Sequence, residues 1–371
     1  MANVLLRSPY YISQDIGTDL SAKIEITIDS VLVYTIVKNK PSNSTFVLFE
    51  IAELVRDYID IKYNGSITPS DLNVNVSYVL SIYPAINAGG TATSSSTTDF
   101  LGIDGYGYFE EGSNPIIDRG YMQSNAIIYT LNGEDIRIPV DRNNTTSVSY
   151  FNKGSQVFTK AITTSSTEVF EYIDAIDSFK ERVVEDCAVN GCGIYEENTC
   201  LDSFIDSNSL YLVDEIRLET PTQTKIVKVI TLDECKYEPI KLTFVNRFGA
   251  LQDLWFFKKS IEKVNTKKET FNRFTINSNT GVYDTSIHQN QTFNVNSNKK
   301  LTINTGYVDE SYNSLMQELM QSEQIWMELN SVVTPINLDT NSLTFKTGVN
   351  DKLVDYTVEV SYSFDAINNI R

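Results

Sequence analysis

The sequence predicts a mainly β chain, a β-rich α+β fold built from two or more sandwich- or barrel-like domains with two principal packed helices. Three observations predict it. Apolar and polar residues alternate with period two in many separate stretches. Turn-forming residues punctuate those stretches. Only two segments switch clearly to the period of an amphipathic helix. Composition agrees, because Asn, Ser, Thr and Tyr are abundant, with Tyr alone numbering 21, and such residues suit extended sheets and broad protein contacts.

Lys23–Val37 opens the pattern as a hairpin turning at Asp29-Ser30. Ile51, Leu54, Val55, Tyr58 and Ile59 then fall on one helical face. Alternation returns over Leu72–Tyr83. The low-complexity stretch from Asn87 to Thr98, rich in Gly, Ser and Thr, buries too little to order itself and reads as a flexible loop. Strands follow at Asn125–Leu131 and Asp135–Val140, with Asn132-Gly133 as a type I′ hairpin turn between them. Ser147–Phe151, Tyr211–Leu218 and Lys225–Thr231 continue in the same way. Lys241–Asn246 and Leu251–Phe257 form a hairpin about Arg247-Phe248-Gly249. Phe271–Ile276 and Lys300–Ile303 read as strands. Tyr312, Leu315, Met316, Leu319 and Met320 make the apolar face of the second helix, Ser311–Met320. Gln324–Leu329, Leu343–Thr347 and Tyr356–Phe364 close the chain as strands. The expected organisation is an N-terminal β-rich domain over 1–165, with its helix and a flexible loop at 87–98. A Cys-containing connecting region covers 166–235, and a C-terminal β-rich domain with one helix covers 236–371.

Charge narrows the function. The chain carries 48 acidic against 30 basic residues, a formal charge of −18, and that average field repels a polyanion such as DNA. The opening Met1–Pro9 has neither the basic leader nor the apolar run of a secretory signal, and no apolar stretch is long enough to cross a bilayer. Four Cys in 371 residues fit a reducing compartment. A cytoplasmic site of synthesis is therefore expected.

Candidate chemistry is sparse. Cys187, Cys192, Cys200 and Cys235 could hold a structural zinc, but the paired CxxC knuckles are missing. Four ordinary thiols, with Cys235 buried at a strand edge, are the competing reading. Gly102–Gly107 lacks the Gly-Lys-Ser/Thr ending and the Gly spacing of a phosphate loop. Its aromatics, Tyr106, Tyr108 and Phe109, read either as interface anchors or as packing beneath a loop. Trp255 and Phe257 lie in a strand apolar on both faces, whose second layer is its own domain or a neighbouring subunit. Phe248 sits in the turn before that strand and joins the interface candidates. His288, the one histidine, falls in a polar loop with no nucleophile placed beside it. No paired acids stand out, so no catalytic residue and no cofactor are expected.

The stretch Asp233–Lys259 is the most distinctive. Glu234-Cys235-Lys236-Tyr237 leads to a strand, an Asn246-Arg247-Phe248-Gly249 turn and the aromatic Trp255-Phe256-Phe257. It resembles a segment of virion structural proteins of tailed phages infecting Bacteroidetes, crAss-like phages among them. Phe49–Ile59, Asp104–Pro115 and the C-terminal ELNSVVTPINL and NDKLVDYTVEVSYSFDAINNIR stretches are similar in kind. The resemblance implies a non-enzymatic tail or connector subunit, an adaptor, ring or fibre-attachment protein. Such a subunit works in the virion tail by assembling with tail, ring, portal or fibre subunits and with its own copies. From the charge and the lack of a long apolar stretch, no direct nucleic-acid contact and no membrane span are expected. A carbohydrate-binding or adhesin-like β-module is the alternative, and a glycan hydrolase the third.

Overall fold

The computed structural model describes residues 2–117, 119–131, 134, 136–174, 213–232, 234–276, 279–330, 332–345 and 353–367. In chain order the strands begin with β1 (Ala2–Leu5), β2 (Tyr11–Asp15), β3 (Ser21–Ile28), β4 (Val31–Asn39) and β5 (Phe46–Glu50), followed by helix α1 (Ala52–Arg56). Next come β6 (Asn73–Tyr83), β7 (Ser94–Ile103), β8 (Ile127–Leu131), β9 (Arg137–Asp141), β10 (Ser147–Asn152), β11 (Ser155–Ala161) and β12 (Phe170–Asp174). Then follow β13 (Glu215–Glu219), β14 (Thr224–Leu232), β15 (Ile240–Val245), β16 (Leu251–Phe256), β17 (Ile261–Asn272) and β18 (Asn290–Asp309). Helix α2 (Tyr312–Gln321), β19 (Ile325–Leu329), β20 (Val332–Leu338) and β21 (Leu353–Tyr362) are the last of the described helices and strands. The fold is mainly β, in several sheets with sandwich-like packing, and none of those sheets closes into a barrel.

The first sheet has the order β1-β7-β6-β3-β4. Asp29 and Ser30 both have positive φ, 46° and 70°, which is what a two-residue hairpin turn matching the strand twist requires. Ile24, Ile26 and Ile28 face inward against Val74, Val76 and Leu80, and the β2–β5 ribbon and α1 cover them with Phe49, Ile51 and Val55. A second sheet, β11-β10-β13-β14-β8, packs Tyr150, Ile216, Leu218 and Val227 against Ile138 and Val140 of the β9–β12 pair. The seven-stranded sheet runs β16-β15-β19-β20-β21-β18-β17. One face of β15 and β16 (Leu242, Phe244, Leu254, Phe256) packs on Leu315, Met316 and Leu319 of α2. From the other face, Leu251 and Val245 join Ile61, Tyr63, Leu101 and Phe170, contributed by segments far away in sequence. That double burial explains why this strand pair is apolar on both sides.

Several expectations need correction. Helix α1 ends at Arg56, because Tyr58 and Ile59 bond back to Val55 and Arg56 in tight turns that let Ile61 and Tyr63 reach the shared core. The stretch 87–98 is not one flexible loop: Ser94–Thr98 belong to β7 and pair rung by rung with Tyr78–Ile82 of β6. A backbone ladder needs no apolar side chains, so composition hid it. Asn132-Gly133 lies outside the described residues, but the flanking strands do not form a hairpin. β8 pairs in parallel with β14, and β9 pairs with β12. Residues 341–345 are not strand, which removes the start of the expected strand at Leu343. Strand β17 starts ten residues before Phe271 and ends at Asn272, since the Lys- and Thr-rich stretch pairs with β18 instead of looping. Cys235 is exposed in the β14–β15 connection rather than buried at a strand edge.

The β17–β18 hairpin outruns the sheet it belongs to. Its ladder runs from Ile261↔Thr302 to Asn272↔Asn290, whereas β21 pairs β18 only from Lys300 onward. The C-terminal segment follows a little further, with Asn296 Nδ2 donating to Asp365 Oδ2 at 2.7 Å and Ala366 N to Ser297 O at 2.8 Å. Beyond that lie the last rungs and the closing loop 273–289, where nearly every described residue is exposed.

Candidate functional site

The turn between β15 and β16 seats the site. Asn246 is fully buried and all its side-chain polar capacity is used locally. Its Oδ1 accepts from Phe248 N (3.0 Å) and Ala250 N (3.1 Å), and its Nδ2 donates to Met122 O (2.8 Å) and Gln252 Oε1 (3.0 Å). Gly249 takes φ +77°, a conformation that costs other residues. Against this turn lies the segment leaving β7, where Tyr106 N donates to Arg247 O at 2.8 Å.

From there an aromatic loop stands out of the molecule. Tyr106 and Tyr108 meet edge to face at 5.9 Å, the Arg7 guanidinium lies 4.9 Å from the Tyr106 ring, and that of Arg247 lies 4.5 Å from the Tyr108 ring. Tyr106 OH donates to Gln321 Oε1 at 2.6 Å, which ties the loop to the end of α2. Arg247 Nη2 reaches both Glu111 oxygens at 2.7 and 2.9 Å, while Glu111 Oε2 accepts from Tyr108 N at 2.9 Å. Burial alone would raise the Glu111 pKa, but these bonds hold it below the usual range. At the apex of this strapped turn Phe109 is 98% exposed. Asn114 then bonds both backbone groups of Tyr11 at 2.7 Å, extending the β2 edge, and Ile116 beside it is 80% exposed.

Charges beneath the loop are paired across long sequence distances. Asp104 accepts from Arg56 Nε at 2.7 Å, and Arg56 Nη2 meets Glu323 Oε2 at 2.5 Å. Arg7 reaches the other oxygen of Glu323 at 3.2 Å. Burial nonetheless raises the Asp104 pKa above its ordinary value. Arg119 lies 4.0 Å over the Phe248 ring, and burial and the like charge of Arg247 lower its pKa. Glu318 of α2 is only 1% exposed, accepts from Ser124 Oγ, and burial raises its pKa against the pull of Arg247 and Arg119.

A carboxyl whose folded pKa is raised favours the fold while protonated. Its contribution is present below the ordinary value near 4.5 and is lost as pH rises through the higher folded pKa. Glu318→Gln keeps an acceptor for Ser124 and removes the buried charge. We expect it to stabilise the protein by about 1 kcal/mol near neutral pH, with no gain at acid pH. Urea unfolding of both proteins across that pH range checks this, and a gain that is independent of pH contradicts it.

The six sequence-derived interface candidates separate clearly. Phe109 is exposed, Tyr106 and Tyr108 are half-buried supports, and Phe248, Trp255 and Phe257 are packed inside the chain. Trp255 stacks on Phe257 at 6.4 Å. Sequence reading missed Ile116, Arg7, Arg56, Gln321 and Glu323, which the fold brings in from elsewhere. No local signal marks them. Among the described residues, no three His, Cys, Asp or Glu side chains come together as a metal site. Cys187, Cys192 and Cys200 lie outside the described residues. His288 is exposed in the loop closing the β17–β18 hairpin. No described helix is long and apolar enough to cross a membrane. The arrangement presents an apolar tip on a hydrogen-bonded base in which Glu111, Asp104 and Glu323 are engaged by arginines.

No protein-family model and no curated protein matches the chain. A solved structure described as Drosophila OTK, extracellular domains 3-5, aligns over 81% of this chain and 87% of that one. The identity is 7% and the TM-score 0.19, a likeness that carries no argument.

Proposed function

We propose that this protein is a non-enzymatic structural subunit of a tailed-phage virion, a tail or connector component that acts by burying its surface on other virion subunits. The observation that carries this reading is the Phe109 tip, a large apolar side chain almost wholly in water and clamped from below by Arg247, Glu111 and Tyr108. A turn whose backbone is already held loses less freedom on docking, so more of the burial energy of its tip goes into affinity. Full burial of such a side chain is worth about 1.5–3 kcal/mol. The partners proposed are tail, ring, portal or fibre subunits, together with copies of the chain itself, and the place of action is the virion tail.

Phe109→Ala combined with Ile116→Ser tests the reading. Both side chains are exposed, so the unfolding midpoint should hardly move. Incorporation into particles should fall by roughly tenfold or more, the loss expected when an anchor worth ~1.4 kcal/mol or more is truncated. Normal incorporation of the double variant removes the tip as an anchor. A monomer that cleaves host glycan and is absent from purified virions removes the structural reading itself.

A further inference from the structure

We propose that the β17–β18 hairpin is an arm by which one copy of this chain grips a second copy. The proposal rests on the assembly role above and names one of the partners. A two-stranded ribbon without a covering layer is marginal in water. This one still carries Phe271 and Phe293, in edge-to-face contact at 5.5 Å on one face, with Phe274, Val282 and Tyr283 exposed near its end. Phe274 is 82% exposed. From Lys267↔Asn296 to Asn272↔Asn290 the ladder alone reaches roughly 20 Å at about 3.3 Å per residue, before the closing loop is added. That is long enough to lie across a neighbouring sheet.

Charge selects the neighbour. Residues 261–300 hold six basic side chains, Lys263, Lys267, Lys268, Arg273, Lys299 and Lys300, against Glu262, Glu269 and Asp284. The hairpin over 261–300 is therefore net +3 in a chain of −18, which leaves −21 on the rest, and its projecting part, 267–296, is net +1, with Lys267, Lys268 and Arg273 against Glu269 and Asp284. Lys299 and Lys300 are paired with Glu262 and with Asp339 and Glu359. Lys263, Lys267, Lys268 and Arg273 are exposed and make no ion pair among the described residues. A basic apolar ribbon attached to an acidic body is complementary to the body of an identical copy and repelled by another arm. The lysines along β17 also discourage edge-to-edge pairing of two arms, since charged side chains are a common guard on open strand edges. An arm-to-body contact joins different surfaces of the two copies, so it builds rings or chains of subunits as well as reciprocal pairs.

The test uses the full chain in sedimentation velocity over a concentration series at low and high salt. The expected result is self-association that weakens as salt rises, because exposed charges are screened. Lys267→Glu with Lys268→Glu, and separately Phe271→Ser with Phe274→Ser, should each leave a monomer with an unchanged circular dichroism spectrum. The charge variant alters only exposed side chains, so it keeps the test valid if the aromatic variant misfolds. A wild-type chain that stays monomeric at every concentration, or arm variants that associate as wild type does, overturn the proposal. Particle composition is scored separately. A monomeric chain present in purified virions refutes the arm and spares the virion role, whereas an arm-dependent oligomer absent from virions does the reverse.

Discussion

Arg137→Ala is expected to destabilise the protein by about 3–5 kcal/mol, the usual consequence of removing one partner from a buried ion pair. Arg137 on β9 and Asp253 on β16 are both largely buried and meet through two parallel bonds of 2.7 Å, Nε to Oδ2 and Nη2 to Oδ1. Burial alone would lower the Arg137 pKa, but the charge and hydrogen bonds of Asp253 outweigh it and raise the value. Two further donors are used as well: Nη1 donates to Gly65 O at 3.1 Å and Nη2 to Tyr63 OH at 2.8 Å. Thr243 Oγ1 donates to Asp253 Oδ1 at 2.7 Å. One guanidinium thus holds together β9, β16 and the segment after α1. With Arg137 gone, Asp253 loses its cation and, among the described residues, keeps Thr243 as its side-chain donor. Adding Asp253→Asn should recover part of the loss, because the stranded charge is what costs most. Arg137→Lys should fall between, since an ammonium cannot form the bidentate fork. Urea unfolding of the four proteins measures the effect. A loss below about 1 kcal/mol for Arg137→Ala would show that water or a side-chain shift compensates the carboxylate.

Arg137 also shows what the sequence left hidden. The mainly β class and both helices were legible because period-two alternation and the i, i+3, i+4 face are local patterns, and Asp29-Ser30 was legible because a turn needs specific residues. Strand partners were not. β8 and β9 are separated by a short segment with an Asn-Gly pair, yet they join different sheets, because β8 gains a parallel partner in β14 and β9 a partner in β12. Ser94–Thr98 form strand through a backbone ladder to β6, so their polar side chains gave no period to read. The site was half legible. Tyr106, Tyr108 and Phe109 announce themselves as an aromatic, Gly-rich loop, but only geometry separates the exposed tip from its supports. Arg7, Arg56 and Glu323 are brought together by strand order across some 300 residues of chain, and composition cannot anticipate that. Trp255 and Phe257 looked available for a partner because their strand is apolar on both faces. The second face is covered from within the same chain.

Gly105→Ala should both destabilise the fold and move the tip, and so, on the proposed role, connects stability to assembly. A Cβ at position 105 would lie 2.7 Å from Arg247 O, 2.9 Å from Phe248 C and 2.6 Å from the Leu5 side chain. Two of these are backbone atoms of the turn built on the buried Asn246, which has no freedom to retreat. At Gly249, on the other side of the same contact, a Cβ would meet Asp104 N at 3.0 Å and Gly105 N at 3.1 Å, in a backbone with φ +77°. The two glycines let two backbones touch, and that contact sets the angle at which the Tyr106–Phe109 loop leaves the molecule. Overpacking of this kind costs about 1–3 kcal/mol, and a non-Gly residue at positive φ adds about 1–2 kcal/mol at Gly249. We expect either alanine variant to lower the unfolding midpoint, and Gly105→Ala in addition to reduce incorporation into particles at temperatures where the variant is still folded. Phe109→Ala with Ile116→Ser, in contrast, should reduce incorporation without touching stability. If Gly105→Ala lowers stability while folded protein enters particles at the normal level, the angle of the loop is irrelevant to docking, and the role of the glycine is confined to the fold.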